Sequence, residues 1–178
     1  IQLQLLQKKL EHRKQFKGHL FEKVGDLFNT FYNDHLPFSL TKAQKRVIKE
    51  IRSDFGSGAQ MNRLLQGDVG SGKTIVAFLS ALIAFDNQMQ TTIVAPTEIL
   101  AQQHFHTLSE LAQPLGITIK LLTGSTKTAE RKVIHSQLQS GGLQLLVGTH
   151  AVLEPSVLFK NLGFAIIDEQ HRFGVAQR

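Results

Sequence analysis

The chain has 178 residues, a formal charge of +6, a mean hydropathy of -0.08 and 42% hydrophobic residues, which suits one α/β domain with a core and a short appendage rather than two full domains. The absence of cysteine excludes a disulfide scaffold and a thiolate metal site and fits a reducing compartment, so a cytoplasmic location is expected. The longest apolar run, Thr74 to Phe85, falls short of the roughly 20 residues of a bilayer span, and no membrane segment is predicted.

The opening IQLQLLQKKL starts at Ile1 and lacks a cleavage-like pattern of small residues, so it is read as no signal peptide and the chain as part of something longer. Up to Gln60, eleven Lys and Arg stand against six Asp and Glu; from Met61 on, nine stand against eight. The basic front is either an electrostatic footprint for nucleic acid or the solvated face of a helix, and composition leaves both open. Leu3, Leu6, Leu10, Leu20, Val24, Leu27 and Phe31 recur at spacings of three and four, predicting one or two amphipathic helices over residues 1 to about 33, broken near Gly18. Phe16, Phe21, Phe28, Phe31 and Tyr32 read as a packing face that docks on the main domain, rather than as a stacking platform for bases. Asp34 to Pro37 breaks the pattern, and Thr41 is placed to cap a helix from Lys42 to Asp54 with Ala43, Val47, Ile48 and Ile51 inward.

After a Gly/Ser turn, strand and helix alternate: Met61 to Gln66 with a helix from Thr74; Thr91 to Ala95 with Thr97 to Ala112; Ile117 to Leu122 with Thr126 to Gln139; Leu143 to Val147 with Ala151 to Phe159; and Phe164 to Ile167. Of these five strands four are short runs rich in Ile, Leu and Val, which predicts a parallel sheet covered by helices on both faces.

Between the first strand and its helix lies Gly67-Asp68-Val69-Gly70-Ser71-Gly72-Lys73-Thr74, which fits the phosphate-cradling pattern GxxxxGK[ST]. Its glycines let backbone N–H groups close around a polyphosphate, Lys73 reaches the outer phosphates, Thr74 offers a hydroxyl to Mg²⁺, and the helix aims its positive end at the anion. A nucleoside triphosphate site follows. In parallel sheets ligands gather at the carboxyl ends of strands. The last strand delivers Asp168 there to hold Mg²⁺ with Thr74 through water, and Glu169 to polarise the attacking water. His104 and His106, two apart on a helix, read as ordinary polar residues on different faces, not metal ligands.

GDVGSGKT paired with DEQH resembles the superfamily 2 helicases and translocases. The longer runs MNRLLQGDVGSGKT, APTEILAQQH, VGTHAVL and IIDEQHRFGVAQR are similar to the RecG helicases over residues 36 to 178. The related transcription-repair coupling factors typically carry Glu where this chain has Gln170. The resemblance implies a first RecA-like ATP-binding domain over 36–178, incomplete at its C-terminal end, after a helical linker over 1–35. It implies that Gln44 reads the adenine edge and that His171 links the nucleotide site to a nucleic-acid track. Pro96, Thr97, Glu98, Thr123, Gly124, Thr149 and His150 would line that track. The partners implied are branched or duplex DNA, a second RecA-like domain with its arginine finger, and a junction-binding domain. The activity implied is ATP-driven remodelling of stalled forks and Holliday junctions, with the isolated chain nearly inactive. A coupling-factor-like duplex translocase, a P-loop switch or small-molecule kinase, and a non-catalytic nucleic-acid-binding module are the competing readings. In this fold the strand after the Asp-Glu motif inserts between it and the P-loop strand, so the P-loop and Asp168 strands are not expected to be directly hydrogen-bonded here.

Overall fold

The computed structural model describes residues 17–68 and 70–168; the expectations placed on residues 1 to 16, Val69, Glu169, Gln170 and His171 lie outside them. The described chain forms α1 (Asp26–Thr30), a π-turn (Phe31–His35), α2 (Lys42–Phe55), α3 (Lys73–Asp86), β1 (Gln90–Val94), α4 (Glu98–Ala112), β2 (Ile119–Leu122), α5 (Thr128–Ser140), β3 (Leu145–Gly148), a 3-10 turn (His150–Leu153) and β4 (Leu162–Ile167).

The first segment departs from the predicted helix. Lys17 bridges Ala59 in antiparallel fashion, and the Phe21 N–H donates to the Phe55 carbonyl at 3.1 Å. A Cβ on Gly18 would lie 2.7 Å from the backbone of Ala59, so only glycine lets these two backbones meet. Leu20 is exposed as a result, and regular helix begins only at Asp26. The aromatic residues nonetheless pack as expected: Phe21 lies 4.5 Å from Phe55, and Phe31, fully buried, meets Phe78 of α3 edge-on at 4.9 Å.

A carboxylate from another helix caps α1. Asp86, at the end of α3, accepts the N–H groups of Gly25 at 2.9 Å, Leu27 at 3.0 Å and Phe28 at 3.1 Å. Asn87 accepts from the Lys23 N–H at 3.2 Å and donates to its carbonyl at 2.8 Å. The front of the chain is thereby fastened to the end of the P-loop helix, away from the loop itself.

Thr41 and Gln44 form a reciprocal capping box at the start of α2, as the sequence predicts. Ile48, Ile51 and Phe55 are buried, but Ala43 faces solvent, because the inward stripe starts one turn later. On the outer side Arg63 pairs with Glu50 at 2.6 Å and Asp54 at 2.7 Å; the hydrogen bond to Asp54 holds its guanidinium above the ordinary range. Lys45, Lys49 and Arg52 instead border a shallow cavity of about 180 Å³ with Phe28, Tyr32, Leu40 and Ile48.

The sheet is parallel and four-stranded, in the order β2-β3-β1-β4. Alternation splits it: Ile93, Leu145 and Val147 join the core beneath α3, while Val94, Leu122 and Leu146 join Ile134 and Leu138 of α5. Helices therefore cover both faces, as predicted. Buried Gln90 ties the strand entrances together, donating to Leu138 and Leu143 carbonyls at 3.0 and 2.8 Å and accepting from Asn161 N–H at 2.9 Å.

The first predicted strand, Met61 to Gln66, does not form. Leu65 packs on the core while Leu64 is 72% exposed. A strand persists only with a hydrogen-bonding neighbour, and among the described residues β4 pairs with β1 alone. Among the described residues the P-loop segment and the Asp168 strand are thus not directly bonded, as expected. On β4, Leu162 and Ile167 remain 39% and 43% exposed.

Replacing Asp86 by Ala strands three backbone N–H groups and is expected to destabilise the chain by about 2 kcal/mol. Urea unfolding checks this, and a loss below about 0.5 kcal/mol would show that solvent replaces the carboxylate.

Candidate functional site

The P-loop owes its shape to two glycines in left-handed conformation, Gly70 at φ 80° and Gly72 at φ 79°. Gly72 is also the N-cap of α3, and a Cβ there would collide with the side-chain amide of Gln44. Ser71 N–H closes the turn on the Asp68 carbonyl at 3.1 Å, and the N–H groups of Ile75 and Val76 turn back to Gly72 at 3.2 and 3.3 Å. The Lys73 ammonium folds over the loop, donating to the carbonyls of Gly67 at 2.7 Å and Asp68 at 2.8 Å. Thr74 follows, half-buried in the first turn of α3.

This loop suits a polyphosphate. Its glycines leave the concave side free of side chains, the first turn of α3 supplies unpaired N–H groups, and Lys73 can exchange two neutral carbonyls for charged oxygens. Gln44 braces it from α2: its Nε2 donates to the Ser71 carbonyl at 2.9 Å while its Oε1 accepts from Thr41 N–H at 2.9 Å. The amide assigned to the adenine edge therefore also couples helix α2 to the phosphate loop.

Along the carboxyl edge of the sheet the strand ends are bonded in a row. Asp168 N–H donates to the Val94 carbonyl at 2.9 Å, Ala95 N–H to Gly148 at 2.8 Å, and Thr149 N–H to Leu122 at 3.2 Å. One ridge thus carries Asp168, Pro96, Thr123, Gly124, Thr149 and His150. Along it, Thr97 caps α4 by accepting the Leu100 N–H at 3.3 Å, and Glu98 accepts the Ser125 N–H at 3.2 Å and its hydroxyl at 3.0 Å. Thr123 and Thr149 are buried; the exposed positions are Thr97, Gly124, Ser125 and His150. Glu98, a carboxylate, organises the loop of Ser125.

Two residues here escaped the sequence reading. Arg131 of α5 donates to the Thr123 carbonyl at 3.0 Å and pairs with Glu154 at 2.8 Å, buttressing the ridge from behind; one Arg on an amphipathic helix gives no sign of this. His104 is not an ordinary surface residue: its Nε2 lies 2.7 Å from Asp168 Oδ2. His106, on the other face of the helix, pairs with Glu110 at 3.3 Å, as an exposed residue would. Among the described residues no group of three or more His, Asp or Glu is arranged to hold a metal. Any divalent ion would depend on Thr74, Asp168 and the phosphates themselves. Nor is any described helix long and apolar enough to cross a membrane.

Comparison with known proteins agrees with this geometry. The chain is 49% identical over its whole length to the ATP-dependent DNA helicase RecG of Synechocystis sp., and 48% identical over 99% of its length to that of Aquifex aeolicus. It spans about a fifth of each, 21% and 22%. A solved structure of RecG bound to a three-way DNA junction superposes with a TM-score of 0.85 at 45% identity, covering 94% of this chain and 23% of that one. The DEAD/DEAH box helicase profile matches residues 41–178, and the chain belongs to that family.

Proposed function

We propose that this chain is the first RecA-like, ATP-binding part of a RecG-like motor that couples ATP hydrolysis to remodelling of branched DNA in recombination and repair. The observation that carries this is the pairing of a formed phosphate loop with a ridge of strand ends that joins Asp168 to Gly124, Ser125 and His150 by backbone bonds. The likeness to RecG helicases along the whole chain supports it over the competing readings. Residues 36–178 are assigned to the motor domain and 1–35 to a linker from a preceding domain.

In this reading the P-loop amides and Lys73 bind the phosphates of ATP, and Gln44 turns its amide toward the base. Thr74 and Asp168 hold Mg²⁺, which when bound supplies charge neutralisation at the outer phosphates. Glu169 orients the water and His171 relays the nucleotide state to the track. Thr97, Gly124, Ser125 and His150 meet the DNA backbone with hydroxyl and amide donors, which bind phosphate without reading sequence. A second RecA-like domain supplies the arginine finger and a junction-binding domain selects branched substrates. The location is cytoplasmic.

The test is the ATPase rate of the full-length protein with forked DNA, linear duplex and no DNA. Stimulation that is greatest with the fork is expected, and equal rates in all three conditions contradict the proposal. Lys73→Ala should lower the stimulated rate by about 10² or more. Arg131→Ala, which releases Thr123, should weaken activation by DNA about tenfold with little change in the DNA-free rate; DNA titrations of both rates check it.

A further inference from the structure

We propose that His104 is a positioning residue of the ATPase site, holding the Asp168 carboxylate in place and tying it, through α4, to the ridge that meets DNA. The inference rests on the motor reading above and adds to it a coupling element within this domain.

The backbone fixes where Asp168 begins, through its N–H bond to Val94 at 2.9 Å, but leaves the direction of its carboxylate to side-chain partners. Strand alternation puts Asp168 on the face of Phe164 and Ile166, which pack against the core shared with α4, so a group on the helix covering that face is placed to fix its rotamer. The His104 ring does so: with its proton on Nε2 it donates to Oδ2 at 2.7 Å, and both side chains are mostly shielded, at 23% and 32% exposure. A hydrogen bond to a carboxylate in such a place is stronger than at an open surface.

The position of His104 on its helix makes the contact a built feature. Ala101 and Leu108, three residues before and four after it, are both fully buried, so all three lie on the inward stripe of α4. An imidazole in an apolar stripe costs free energy unless its polar atoms are satisfied. Asp168 satisfies one of them.

The same helix carries the opposite end of the link. Its cap, Thr97, is exposed on the ridge, and Glu98 in its first turn grips Ser125 through both the N–H and the hydroxyl. Glu98 and His104 are six residues apart, about 9 Å along one rigid helix. A displacement of the Ser125 loop by a nucleic-acid phosphate therefore moves His104, and with it the rotamer of Asp168. This path lies wholly within one domain and does not involve His171.

The experiment compares His104→Ala and His104→Gln in the full-length protein; glutamine keeps a donor that can reach the carboxylate. Binding of a fluorescent ADP analogue is titrated with Mg²⁺ without turnover, and ATPase kinetics are measured with and without forked DNA. His104→Ala is expected to raise the Mg²⁺ needed for half-maximal binding about tenfold and to lower the DNA-stimulated kcat by a similar factor, with the KM for ATP nearly unchanged. His104→Gln should recover most of both losses. An unchanged Mg²⁺ requirement in His104→Ala overturns the proposal. So does equal impairment of the two variants accompanied by an equal fall in Tm, the result of a purely structural role. If the wild type shows no DNA stimulation at all, the motor reading fails, while the Mg²⁺ titration still decides the role of His104.

Discussion

The structure depends on one constraint of parallel sheets: every strand points the same way, so every strand ends on the same edge. Three backbone hydrogen bonds, from Asp168 to Val94, from Ala95 to Gly148 and from Thr149 to Leu122, convert that rule into a continuous ridge. Residues more than seventy positions apart in the chain become neighbours without any side chain having to bring them together. Side chains then specialise the ridge: Glu98 grips Ser125, Arg131 grips Thr123, and His104 meets Asp168.

The phosphate loop depends on a second set of supports. Gly70 and Gly72 permit the left-handed backbone, while Gln44 presses its amide against the Ser71 carbonyl from α2. Helix α3, buried nearly all round, carries the loop at one end and holds the front of the chain at the other through Asp86 and Asn87. A single helix thus connects the phosphate loop to residues 23–28 at the front of the described chain.

What could be read from the sequence was what is encoded locally. The phosphate loop, the Thr41 cap, the four apolar strands from Gln90 onward and the placement of Asp168 at a strand end each depend on residues within about ten positions of one another, and each was found as expected. The errors have a common origin in long-range contacts. Met61 to Gln66 has strand-like residues, but strand structure belongs to pairs, and among the described residues no neighbour is there to pair with it. Leu20 and Val24 have helical spacing, but the backbone meeting of Gly18 with Ala59 and the reach of Asp86 to Gly25 outweigh that local preference. His104 and Arg131 were passed over for the same reason: their partners Asp168 and Glu154 are 64 and 23 residues away and lie outside their helices.

The central claim is that the phosphate loop and the ridge serve one motor, with nucleotide at the first and DNA along the second. The most direct measurement is a structure of the full-length protein with a branched DNA and a non-hydrolysable ATP analogue. Phosphates of the analogue are expected within hydrogen-bonding reach of Lys73, released from the Gly67 and Asp68 carbonyls, with a DNA strand passing Thr97, Gly124, Ser125 and His150. DNA lying instead across Lys45, Lys49 and Arg52 of α2, with the ridge bare, would contradict that claim.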